Sequence, residues 1–176
     1  MRILKIILYT ILTIIVIGLV AGLFISKEYK VEKEVTISKP RQEVFEFLKY
    51  LKNQDKFSYW ATLDSGMQKH YSGTDGTVGF ISGWKGNKDV GQGEQEIAGI
   101  KEGERIDYKL RFKEPMESNM DAYITTEDAG PTATKVKWAI YGTSKYPWNI
   151  MNPFMDNMMG GDISFGLNKL KTILEK

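Results

Sequence analysis

The chain has 176 residues, with 24 Lys and Arg against 22 Asp and Glu and a formal net charge of +2. That near balance, without a basic tract interleaved with aromatics, argues against a nucleic-acid partner. The absence of cysteine excludes disulfides, thiolate catalysis and cysteine-ligated metal centres, and one histidine, His70, excludes a histidine-rich metal site. No metal and no cofactor are expected.

In chain order, the first element is the run Ile6 to Ile25, twenty residues without charge or proline. As a helix it rises about 30 Å, the thickness of a bilayer's hydrocarbon core. A cleaved signal peptide is its rival. The apolar region of such a peptide is only about 7–15 residues and ends in a small-x-small site, a pattern that Gly22 to Ser26 lacks. The expectation is an uncleaved transmembrane anchor over residues 1–26 and one domain over residues 27–176. Roughly 150 residues suffice for a single core. The flanks disagree about orientation. Arg2, Lys5 and the terminal amine favour a cytoplasmic N-terminus, whereas Lys27, Lys30, Lys33, Lys39 and Arg41 favour retaining the domain inside. A basic start followed at once by an apolar run resembles an export signal, so the reading leans to a single-pass membrane protein with its domain outside the cytoplasm.

After the anchor, Tyr29 to Ile37 alternates as a strand with one wet face, and Lys33 breaks the pattern on its apolar side. Ser38 is a candidate N-cap, and Pro40 to Leu51 carries Val44, Phe47, Leu48 and Leu51 at helical spacing. A short second helix is expected over Asn53 to Trp60. Met67 to Tyr71, Thr77 to Trp84 and Val90 to Ile100 read as strands between glycine-rich turns. Gly91-Gln92-Gly93 lacks the third glycine and the following helix of a dinucleotide site and marks a bulge or bend. The clearest alternation places Ile106, Tyr108, Leu110 and Phe112 on one face and Asp107, Lys109, Arg111 and Lys113 on the other. Asn119 to Thr126 and Thr132 to Tyr141 complete an antiparallel series. Asn149 to Lys176 is helical, with a break expected at Gly160-Gly161. The order is α+β.

Five local patterns carry a resemblance to a known family: Ile37-Ser38-Lys39-Pro40 leading into Val44 to Leu48; Val78-Gly79-Phe80 through Trp84 to Gly93; Leu110 to Met116; Thr134 to Trp138; and Asp162 to Lys171. Together they resemble the SRPBCC superfamily, also called the START or birch-pollen-allergen-like fold, and within it the polyketide cyclase/dehydrase and lipid-transport-like branch. The resemblance implies a helix-grip fold: a curved antiparallel sheet of about seven strands wrapped around a long C-terminal helix, with a cavity between them. It does not imply a reaction, because the superfamily hosts carriers, receptors and enzymes alike.

Within that frame Phe112, Met120, Trp138, Met155, Met158 and Phe165 are the candidate cavity residues, since methionine and aromatic side chains suit a pocket for apolar ligands. Trp84 reads as core and Trp148 as an entrance residue or an interfacial anchor. His70 has no identifiable carboxylate partner, and Arg105 and Asp121 read as wet-face charges. No set of catalytic residues is evident. The expected function is membrane-anchored binding, or transport, of a hydrophobic small molecule or lipid. The alternatives are a cyclase/dehydrase-type enzyme on a polyketide-like substrate and an interaction module with a filled core.

Overall fold

A computed structural model of the chain describes residues 2–176. The apolar run forms α1, Arg2–Gly22, and the most apolar stretch of this helix is not buried anywhere in the molecule. The chain continues through β1 (Glu28–Ile37), α2 (Arg41–Lys49), two short 3-10 turns (Leu51–Lys56 and Trp60–Thr62), β2 (Gln68–Ser72), β3 (Ile81–Lys85), β4 (Gln92–Lys101), β5 (Arg105–Glu114), β6 (Ser118–Gly130) and β7 (Ala133–Thr143). A third 3-10 turn, Trp148–Phe154, leads into α3, Met155–Leu174. The described residues form one antiparallel sheet of seven strands in the order β1-β7-β6-β5-β4-β3-β2. Register shifts at Gln92/Gly93 and between Ile97 and Gly99 bend β4. The long helix α3 packs across the sheet, chiefly over β1. This is the helix-grip, α+β architecture.

The register defines two ends of the sheet. Glu28 pairs with Thr143, Phe112 with Ser118 and Lys85 with Gln92, so the strands enter and leave on the side where α1 ends. Ile37 pairs with Thr134 and Lys101 with Arg105 at the far end. That far half is closely filled. Val44, Phe45 and Leu48 of α2 join Ile37, Ile97, Ile106, Ile124, Val136, Leu167 and Leu170 in one buried cluster. Each such side chain contributes about 1.5–3 kcal/mol by leaving water.

The near end is bolted to α1. The Asn149 side-chain amide donates to the carbonyls of Gly22 (2.7 Å) and Ile25 (2.8 Å), and the Asn152 amide donates to those of Ser26 and Lys27 (both 2.9 Å). The Tyr146 hydroxyl donates to the Leu19 carbonyl at 3.2 Å. A helix leaves its last carbonyls without intrahelical partners; here the turn before α3 supplies donors to two of those at the end of α1.

Local differences from the sequence reading have physical causes. Ser38 does not cap α2, whose N-cap is Pro40 without a side-chain bond. Instead the Ser38 backbone N–H donates to the Glu175 carboxylate at 2.6 Å. The segment from Thr77 starts as a turn through Gly79, at φ 89°, and pairs as a strand only from Ile81. The Asn53 to Trp60 helix is replaced by the two 3-10 turns. Finally, α3 runs unbroken through Gly160-Gly161. Gly160 is buried because the Lys33 side chain crosses it: a β-carbon there would lie 2.6 Å from Lys33 Cε. Lys33, the flaw in the β1 pattern, reaches past this glycine to Asp156 at 2.8 Å.

Two glycines of α3 should therefore respond oppositely to alanine. Nothing lies within 4 Å of a β-carbon at Gly161, so Gly161→Ala should stabilise by up to about 1 kcal/mol through helix propensity. At Gly166 the β-carbon would meet the Trp138 ring at 2.8 Å, and overpacking of about 1–3 kcal/mol should make Gly166→Ala a net loss. Urea denaturation of the two variants reads both signs.

Candidate functional site

The near half of the core is hollow. A cavity of about 280 Å³ lies between the sheet, the connection from Leu51 to Met67 and the first turns of α3. Strand alternation builds its sheet wall. Leu110 and Phe112 on β5, Met120 and Ala122 on β6, and Trp138 and Ile140 on β7 all point the same way. Trp84 on β3, Trp60 in the second 3-10 turn, Met159 on α3 and Leu51 and Met67 at the two ends of the connection add to the apolar lining. The aromatics brace one another edge to face. Trp60 meets Trp138 at 6.0 Å between centroids, Phe57 meets Trp138 at 5.8 Å, and Trp84 meets Phe112 at 5.5 Å. The Trp84 indole N–H is held by the Val90 carbonyl at 3.2 Å.

One part of the wall is polar. Gln54, Asp55, Ser58, Lys69, Ser82 and Gln95 line it. The Gln95 amide donates to Gln54 Oε1 at 3.0 Å. The Lys69 ammonium bonds Asp55 Oδ1 at 2.7 Å, and the Tyr71 hydroxyl donates to Asp55 Oδ2 at 3.3 Å. Burial, followed by the Asp55 charge, raises the Tyr71 phenol above its ordinary value, so it stays protonated and able to donate. The two ionisable groups in the wall thus neutralise each other.

Of the six sequence candidates, Phe112, Met120 and Trp138 line the cavity. Met155, Met158 and Phe165 do not. Met155 is half-buried against the core cluster, while Met158 and Phe165 are exposed, the latter packed edge-on against Tyr59 at 5.4 Å. The reason lies in the unbroken helix. Its buried stripe runs through Gly160, Ile163, Gly166, Leu167 and Leu170, and that phase turns Met158 and Phe165 outward. Gln54 and Ser58 were not legible as lining residues, because the irregular connection after Leu51 assigns no face by periodicity. Of the methionines clustered at the start of α3, Met159 is the one that the continuous helix brings inward to the cavity.

The other residues singled out lie elsewhere. His70 is on the face of β2 opposite Lys69, with its ring lying over Gly83 of the paired strand, where a β-carbon would fall 1.9 Å from Cε1. Arg105 is on the outer face of the sheet, bound to Asp107 at 2.6 Å and 3.9 Å from the Tyr123 ring centroid. Asp121 lines an open outer cleft beside Tyr29, Tyr123 and Tyr141. Gly91, at φ 62°, precedes the β4 register shift. Among the described residues, no group of three or more His, Asp or Glu is arranged to hold a metal ion.

No protein-family profile matches the chain, and no curated protein matches it in sequence. Solved structures do match in fold. Norcoclaurine synthase from Thalictrum flavum, in a complex with dopamine and hydroxybenzaldehyde, is similar with a TM-score of 0.65 at 7% identity, over 88% of this chain and 90% of that one. A Thermobifida fusca protein solved by NMR gives 0.62 at 14% identity, over 81% and 90%. The structure of Ara h 8.0201 gives 0.54 at 12%, over 83% and 97%. At these identities the likeness is one of fold. The chain has the helix-grip fold of the synthase and of Ara h 8, with an apolar helix in front.

The hollow makes a specific demand on stability. In a filled core, enlarging the buried Ala122 would overpack it by about 1–3 kcal/mol. Here Ala122 borders open space, so Ala122→Leu should leave the thermal midpoint unchanged or raise it, as calorimetry of the parent and the variant will read.

Proposed function

We propose that the chain is a membrane-anchored binding protein, a carrier or receptor, for a hydrophobic small molecule or lipid held in the near-half cavity. The observation that carries this reading is the cavity's composition: an aromatic and aliphatic wall with one polar patch, the pattern of sites that bury a ligand body and fix its tip. Ligand area leaving water contributes about 25 cal/mol per Å². Size narrows the class. A cavity of about 150 Å³ in another protein holds one benzene ring, so 280 Å³ suits a fused-ring compound or part of one acyl chain rather than a whole two-chain lipid. Because Lys69 and Asp55 compensate each other, the ligand's polar tip is uncharged. The same compensation favours binding over a cyclase-type reaction, which needs an acid or base directed at substrate. The anchor reading rests on the length, apolarity and exposure of α1. Holding the cavity beside a bilayer raises the effective concentration of any membrane-dissolved ligand.

Titration of the detergent-solubilised chain with 1-aminoanthracene, a neutral three-ring fluorophore, tests the binding. Saturable one-to-one binding is expected, with energy transfer from the cavity tryptophans. Ala122→Leu should weaken it about tenfold, equivalent to about 1.4 kcal/mol, while Met158→Ala, at an exposed position, should not. Non-saturable uptake by the parent would refute the proposal.

A further inference from the structure

The end of the domain that meets α1 carries an apolar surface that the cavity does not use. Trp148 is 70% exposed, and Met151, Phe154 and Met158 are exposed beside it along the 3-10 turn and the start of α3. Phe24, on the α1 side of the same junction, is 85% exposed. Apolar side chains gathered in this way mark a surface that meets something apolar.

The occupant follows from the depth at which this segment sits against α1. Ile150 reaches Gly18, with its Cδ1 3.4 Å from where a β-carbon on that glycine would be, and Tyr146 bonds the Leu19 carbonyl. Gly18 lies four residues before the end of α1 at Gly22, about 6 Å down the helix axis. The turn is thus fixed alongside the last part of the apolar helix instead of above it. If α1 spans a bilayer, the turn is held at the boundary of headgroups and acyl chains, the depth reached by interfacial helices, about 5–10 Å. Its residue types agree: Trp and Tyr favour that layer. Lys27 and Lys145, exposed where the Ser144 N–H meets the Lys27 carbonyl, flank it and suit lipid phosphates.

We infer that the segment Tyr146 to Met158 is an interfacial element seated in the same bilayer that α1 crosses, so that the domain rests on the lipid with its hollow half nearest the membrane. The inference rests on the anchor reading above but is separable from it. The bonds to α1 fix the domain's bearing in either case; without the lipid contact the apolar turn would stand in water, and a seated one buries it.

The chain has no cysteine, so single spin labels report cleanly. Met151→Cys, Phe154→Cys, Val16→Cys in α1 and Lys101→Cys at the far end of the sheet are each labelled in the full chain. The proteins are then reconstituted into liposomes of phosphatidylcholine and phosphatidylglycerol. Labels at 151 and 154 should be more accessible to oxygen than to a water-soluble nickel chelate, as at 16, with the reverse at 101. Aqueous behaviour at 151 and 154 with lipid behaviour at 16 overturns the seated face and leaves the anchor standing. Aqueous behaviour at 16, 151 and 154 overturns both.

Discussion

The position of the Trp138 indole governs the rest of the core. It is buried on β7 with Phe57 and Trp60 against its edges, and α3 touches it only because residue 166 is glycine. On one side of that ring the interior is filled by α2 and the inward residues of the far strands. On the other side nothing takes its place, and the space between sheet and helix stays open. A packed interior tolerates few voids larger than a water molecule, so a hollow of this size has a stability cost that the far half must offset. The domain is therefore built as a filled half that supplies stability and an open half that does not.

The sequence disclosed the sheet more readily than the helix. Ile106, Tyr108, Leu110 and Phe112 alternate without exception, and a period of two assigns faces unambiguously; that is why Phe112, and by the same logic Met120 and Trp138, were legible as inward residues. The terminal helix misled because its buried stripe contains Gly160 and Gly166. Glycine has no side chain to register in a hydrophobic pattern, so the buried stripe through Gly160, Ile163, Gly166, Leu167 and Leu170 is only partly visible, and Met158 and Phe165, on the other face, read as part of it. The two glycines mark where Lys33 and Trp138 approach the helix closely, which one chain's sequence does not display. The third wall, from Leu51 to Met67, is irregular and carries no period at all.

The junction with α1 was also hidden. Asn149 and Asn152 fell within the stretch read as the terminal helix, yet they lie in the 3-10 turn before it and supply the donors that tie the apolar helix to the domain. With Tyr146 they give α1 a fixed bearing, so the apolar helix, the exposed turn around Trp148 and the hollow half of the sheet lie at one end of the molecule. In the proposed function, that shared end is what links a membrane-dissolved ligand to an internal site. A filled-core interaction module would have no use for it.

Native mass spectrometry of the full chain, released from detergent micelles after purification from membranes, tests the central claim most directly. The account predicts a population carrying one hydrophobic small molecule per chain, uncharged in its polar part, and loss of that population in Ala122→Leu. A spectrum showing the same adduct in the parent and the variant, or only the bare mass in both, would contradict it.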